Sequence, residues 1–251
     1  MGSLDYAQSR ISARFGDRPD EVAWRKLEHV REFQSLLDIA RNSAFRVWIG
    51  GISKVSTPHE IEATLRAHWR SHVAEVAGWL PDDCSDAVRW CATLPDLAVL
   101  AYLAQGHPAL AWMRDDPIFR DIADTDAGAC PAALGAGVLA PLAAGWDEPG
   151  RIAGLWRAEW ERLAPVSGDA TLLVEIGRAM SAHLTAFHDP AVKDGWPLRR
   201  ALAARLTLLF RRSMLEPAAA FAYLALVALD LERLRGEFLR RAAFPNLSLV
   251  A

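Results

Sequence analysis

Apolar residues recur at helical spacing along most of the chain. Leu4, Ala7, Ile11 and Phe15 fall three or four apart and predict an opening helix, closed by Gly16 and Pro19. Asp20 is placed to cap the next helix, in which Val22, Leu27, Val30, Phe33, Leu36, Leu37 and Ala40 form one stripe to about Asn42. Residues 44–56 hold Trp48, Gly50 and Gly51 and predict a short helix followed by a loop. Ser56-Thr57-Pro58-His59-Glu60 marks a helix start: Thr57 caps, Pro58 suits the first turn, and Glu60 lies where it closes a capping box. Ile61, Leu65, Trp69, Val73, Val76 and Leu80 then share a face until Pro81. Asp82 and Asp83 begin another helix with Ala87, Trp90, Cys91 and Leu94 inward. Asp96 opens a further one from Leu97 to Gln105, stopped by Gly106. Residues 151–163, 169–187, 198–215 and 217–241 predict four more. Val47–Ile52 is the best strand candidate, and two glycines weaken it. The expected fold class is all-α.

Residues 106–149 are broken by prolines and glycines, which suggests a boundary. The expected organisation is two helical lobes of similar size, 1–126 and 150–251, joined by a Gly/Pro-rich connection, 127–149. One continuous domain is the alternative. The first and last helices both carry long apolar stripes and are expected to pack together. Tyr6 and Arg10 on one, and Glu232 and Arg235 on the other, would be polar anchors. The tail from Phe244 is expected to be loose.

Composition narrows the function classes. Of 251 residues, 52% are hydrophobic and 24% charged, which excludes a disordered chain. The net charge of −3 argues against a general nucleic-acid binder, which needs a cationic excess. Three cysteines, Cys84, Cys91 and Cys130, make no disulfide framework and no CxxC pair, so a reducing, cytoplasmic setting is expected. The polar start, with Asp5, Arg10 and Arg14, is unlike a signal peptide. Residues 127–146 are apolar but interrupted by Pro131, Pro141 and four glycines. Pro217–Leu229 is apolar but about 13 residues long, against the roughly 20 a bilayer needs. No direct membrane span is expected.

Several constellations invite chemistry. His68 and His72 share a helix face, with Glu75 three residues on, a set able to ligate zinc or iron. The sequence between them is not HExxH, and no second ExxH copy exists for a di-iron bundle, so a solvated polar face is the plainer reading. His183 and His188, five apart, fall poorly on one face. Asp115, Asp116, Asp121, Asp124 and Asp126 form an acidic cluster that could hold magnesium, but it lacks a facing partner cluster and reads as a solvated loop. Neither GxxxxGK[ST], GxGxxG nor GxSxG occurs. The Asp82-Asp83 pair before Cys84 raises its thiol pKa, and Cys91 lies in an apolar stripe. Of ten tryptophans, Trp69, Trp79 and Trp90 read as packing, and Trp156 and Trp160 can share one surface. No catalytic, cofactor-binding or metal residue is assigned, and no cofactor is expected.

Three segments, in order, resemble the C-type central-stalk component of the rotary V/A-type ATPases, whose eukaryotic counterpart is the d-type component. The first is Tyr6–Arg14, similar to a YAxAR-type opening helix, with Leu36-Leu37-Asp38-Ile39-Ala40-Arg41-Asn42-Ser43-Ala44-Phe45 after it. The second is Ile61-Glu62 with Leu65, then Pro81, then Leu94-Pro95-Asp96-Leu97-Ala98-Val99-Leu100. The third is Pro217–Arg235, where Glu232 and Leu234-Arg235 match a K-E-x-E-x-x-x-L-R segment and Ala228-Leu229 replaces its Lys-Glu. The resemblance implies a reduced, two-lobed relative of a three-lobed helical funnel. It implies a non-catalytic central-stalk subunit joining the soluble rotor to the membrane proteolipid ring, for proton or sodium transport. Its partners would be the other rotary ATPase subunits, and it would be cytoplasmic and peripherally membrane-associated through the complex. A small, metal-dependent all-α enzyme and a free-standing helical scaffold are the alternatives.

Overall fold

The computed structural model describes residues 3–123, 130–164, 170–187 and 193–244. These residues are all-α, with no strand among them. They form α1 (Leu4–Gly16), α2 (Glu21–Glu28), α3 (Phe33–Arg41), α4 (Pro58–Trp79), α5 (Asp82–Trp90), α6 (Leu97–Ala104), α7 (Arg120–Ala123), α8 (Cys130–Gly135), α9 (Ile152–Leu163), α10 (Ala170–Phe187), α11 (Trp196–Arg212) and α12 (Ala218–Ala243). Two compact units emerge: residues 1–88 with 165–251, and residues 89–164. The first is discontinuous, built from both ends of the chain.

In the first unit α12 is the central element, packing against α11, α4, α1, α10 and α3. Ala218, Ala219, Ala220 and Ala222 are all buried at its start, and small side chains let neighbouring helices approach closely. The capping box that starts α4 is formed: Glu60 N–H donates to Thr57 Oγ1 at 3.3 Å and Thr57 N–H to Glu60 Oε2 at 2.7 Å. Ile61, Leu65, Trp69, Val73 and Val76 are buried on its expected face. The expected long helix to Asn42 is two helices, broken across residues 29–32. No proline or glycine marks that break. The guanidinium of Arg241, almost fully buried, donates to Val30 O at 2.6 Å and Glu28 O at 2.9 Å, capturing carbonyls that the break sets free.

The first and last helices do pack together. The expected anchors act elsewhere. Tyr6 is exposed, Arg10 lies over the Trp79 ring, Glu232 pairs with Arg199, and Arg235 pairs with Glu62. Arg18, just beyond α1, makes the tie to α12, through Asp230 at 2.7 Å.

The second unit is made of short helices and 3-10 turns. Its centre is a hydrogen-bonded circuit. Trp90 Nε1–H donates to Trp156 O at 3.0 Å, Trp156 Nε1–H to Thr93 Oγ1 at 2.8 Å, and the Thr93 hydroxyl to Trp90 O at 2.7 Å. The Trp90 and Trp156 rings stack at 6.3 Å between centroids. Residues expected to be a connection between lobes belong here. Leu134 on α8 and Leu139 and Leu142 around the 3-10 turn Ala140–Gly145 are buried, so this stretch has apolar side chains to pack and is not a bare linker. Residues 150–164, expected in the C-terminal lobe, also fall in this unit. Residues 127–129 and the tail beyond Phe244 lie outside the described residues.

Among the described residues, one helical stretch, Asp82–Ala104, is long and apolar enough by length and composition to cross a membrane. Half of its most apolar window is buried within the protein.

Candidate functional site

The first unit contains a pocket of about 230 Å3. Arg14 comes from the last turn of α1, and Asp17 and Arg18 from the chain just beyond it. Arg46, Val47 and Trp48 come from the 3-10 turn Ala44–Val47 and its cap. His72 comes from α4. Tyr223, Val227 and Asp230 come from one face of α12, at the i, i+4, i+7 spacing of a single helix stripe. Four segments distant in sequence thus meet at one place.

His72 sits at its polar heart. Its Nε2 lies 3.0 Å from the Tyr223 hydroxyl, and its ring meets Trp48 edge-on at 5.1 Å. Burial pushes the imidazole down to about 4. The Glu75 carboxylate opposes that shift and the Arg14 guanidinium adds to it, so the ring is neutral at pH 7. Burial likewise raises the Tyr223 phenol, with Arg14 and Arg18 acting against it, so its O–H stays on. The phenol donates to Nε2 in the tautomer that carries the imidazole proton on Nδ1, the nitrogen 3.9 Å from Glu75 Oε2. Asp230 is raised by burial and lowered again by Arg18, its ion-pair partner.

The helix face read as a metal set is used as a seam. His68 Nε2 lies 2.9 Å from Gly50 O, His72 bonds to α12, and Glu75 accepts from Arg14 Nη2 at 2.9 Å. Each residue ties α4 to a different segment, and they do not converge on a shared point. Among the described residues, no group of three or more His, Cys, Asp or Glu side chains is placed to hold a metal ion. Asp124, Asp126 and His188 lie outside the described residues, so the acidic cluster and the second histidine pair are only partly described. His183, on α10, is lowered by burial first and by Arg199 second. Burial pushes the Cys91 thiol up to about 12, and Cys84 and Cys130 are also buried.

Among the described residues, no serine, threonine or cysteine lines the pocket; the hydroxyl these residues bring to it is the hydrogen-bonded phenol. What it offers is a neutral imidazole–phenol pair, guanidinium donors and an aromatic wall. Of its polar and aromatic members only Trp48, Arg14 and His72 were singled out in the sequence, and nothing in their spacing said that they meet. No family model matches the chain, and no curated protein or solved structure matches it either.

Proposed function

We propose that the protein is a non-catalytic central-stalk subunit that couples the soluble rotor of a V/A-type ATPase to the membrane proteolipid ring. In this reading it is cytoplasmic and held at the membrane through its complex. The observation that carries it is the mutual packing of α1, α4 and α12. These helices hold the opening segment Tyr6–Arg14, the Ile61-Glu62 segment and the closing segment Pro217–Arg235, three of the stretches on which the resemblance rests; another, Leu94–Leu100, belongs to the second unit. The opening and closing segments, far apart in the chain, therefore belong to one body.

A coupling element must resist torsion. Long helices packed side by side and cross-tied by side chains meet that demand better than a hinge or an open cleft. The ties are present: Arg18 to Asp230, Arg233 to both Glu21 and Glu28, Arg235 to Glu62, and Arg212 to Glu175. Arg233 also lies between the Trp24 and Trp196 rings, at 4.3 Å and 4.9 Å from their centroids.

Native capture from membranes of the source cells, followed by mass spectrometry, tests the proposal. Recovery of ATPase head, stalk and proteolipid subunits with the chain is expected. Recovery of the chain alone, from the soluble fraction, overturns the coupling role.

A further inference from the structure

The pocket has hydrogen-bonding capacity that the protein does not use. A guanidinium carries five N–H donors. Among the described residues, Arg14 commits only Nη2, to Glu75, and Arg18 commits Nε to Asp230 and Nη2 to Leu226 O. The guanidinium of Arg46, at the exposed edge of the pocket, makes no hydrogen bond or ion pair with any of them. Three arginines with uncommitted donors therefore line one small space.

The charge balance limits what can sit there. Asp17 and Asp230 line the same pocket, and Glu75 stands behind Arg14. Three carboxylates offset three guanidinium groups, so the site offers donors without a strong positive field. A multiply charged anion would meet Asp17 and Asp230 at close range. A single carboxylate can take the spare donors in the bidentate geometry that suits a guanidinium. The remaining wall is apolar and aromatic, from Val47, Trp48 and Val227. The volume, about 230 Å3, is below the roughly 300–1,000 Å3 of pockets for drug-sized ligands.

We infer that this pocket binds a small organic monoanion: a carboxylate carried on a compact apolar body, with Arg46 as its principal partner and Trp48 against the body. Binding here is independent of assembly into a rotor. It is measured on the isolated chain, whereas membrane capture reports only on partners.

Titration of the isotope-labelled protein with benzoate, followed at the Trp48 indole N–H by NMR, tests the site. A saturable shift is expected. Arg46→Ala should weaken binding by about tenfold or more, the usual consequence of losing a charged hydrogen-bond partner. Arg46→Met, which keeps the apolar stem, should weaken it similarly. Both should leave the melting temperature unchanged, because Arg46 is exposed. Arg205→Ala, at an exposed position on α11 away from the pocket, should bind benzoate as the parent does. Inorganic phosphate should bind more weakly than benzoate. The assignment is overturned by absence of saturation, by equal weakening in Arg205→Ala, or by phosphate binding as tightly as benzoate.

Discussion

The two units solve the same problem, holding helices together, with different chemistry. The first joins distant segments through arginine: Arg18 to Asp230, Arg233 to Glu21 and Glu28, and Arg241 to the carbonyls that end α2. The second is organised around indoles, with two tryptophan N–H groups and a threonine hydroxyl closing a circuit. Ion pairs described there, such as Arg151–Glu148 and Arg162–Glu159, run between near neighbours in the chain. Exposed pairs of that kind contribute little to stability. Buried guanidinium groups that satisfy backbone carbonyls contribute more, since their removal leaves polar groups buried without partners. The first unit is therefore sensitive to loss of the Arg241 charge; the second, which also buries Asp96 and Asp116, is sensitive to loss of packing around its indoles.

The largest expected effect follows from that contrast. Arg241→Ala removes the donors to Glu28 O and Val30 O and takes from Glu237 its buried partner. Glu237 keeps Arg240 as a partner, so the cost is chiefly that of the two carbonyls left without their donor, about 1–3 kcal/mol each. Urea unfolding should show that loss, and hydrogen exchange should place it in residues 3–88 and 170–244. Unchanged protection around α2 and α3 would show that the break between them does not depend on Arg241.

The next effect is a pH dependence confined to the first unit. An unfolded imidazole titrates near 6.5, and His72 in the fold titrates at about 4. Between those values the unfolded chain binds more protons, so acidification favours unfolding. The contribution is complete above pH 6.5 and is lost as the pH falls toward 4. A shift of that size corresponds to roughly 3 kcal/mol. His72→Gln, which keeps a partner for the Tyr223 hydroxyl, should flatten the stability profile over that window relative to the parent. Parallel profiles would mean that His72 is not the group responsible.

In the second unit the matching probe is steric. A Cβ added at Gly145 would lie 2.9 Å from Leu155 Cδ1 and 3.0 Å from Ile152 Cγ1, both on α9. Overpacking of this kind costs about 1–3 kcal/mol. Gly145→Ala should lower protection within residues 89–164 and reduce the near-ultraviolet signal of the stacked Trp90 and Trp156 rings. An unaltered spectrum and unaltered exchange would show that α9 yields without cost.

Much of this architecture was legible in the sequence because local physics writes it there. Thr57 and Glu60 announce α4, Pro81 ends it, and Gly106, with φ +82°, stops the chain after α6. The break between α2 and α3 was not legible, because no proline or glycine marks it and the side chain that takes its carbonyls, Arg241, lies more than 200 residues away. The Gly/Pro-rich stretch misled for a related reason. Its glycines and prolines suggested a linker, while Leu134, Leu139 and Leu142 were the residues that decided its burial. The pocket was legible only in pieces. His72 was visible as one of three polar residues on α4, but its partner, Tyr223, lay within an apolar helix read as core. Periodicity says which residues share a face, not which faces meet.

The smallest effect compares one backbone conformation in two places. Leu215, in the turn between α11 and α12, has φ +63°, and Gly106 in the second unit has φ +82°. A left-handed conformation costs a residue bearing a Cβ roughly 1–2 kcal/mol, and glycine is spared it. Leu215 is half-exposed, so truncating it forfeits little packing. Its N–H is held by Gln8 Oε1 at 3.1 Å, which fixes the turn against α1 and leaves the strain no local escape. Leu215→Gly should therefore gain up to about 1 kcal/mol after the extra unfolded-state freedom of glycine is deducted. Gly106→Leu should lose a similar amount. Gln8→Ala should weaken the turn and, combined with Leu215→Gly, show less than additive gain, because the strain then has a way to relax. A Leu215→Gly variant less stable than the parent would mean that the side chain, not the backbone, decides this position.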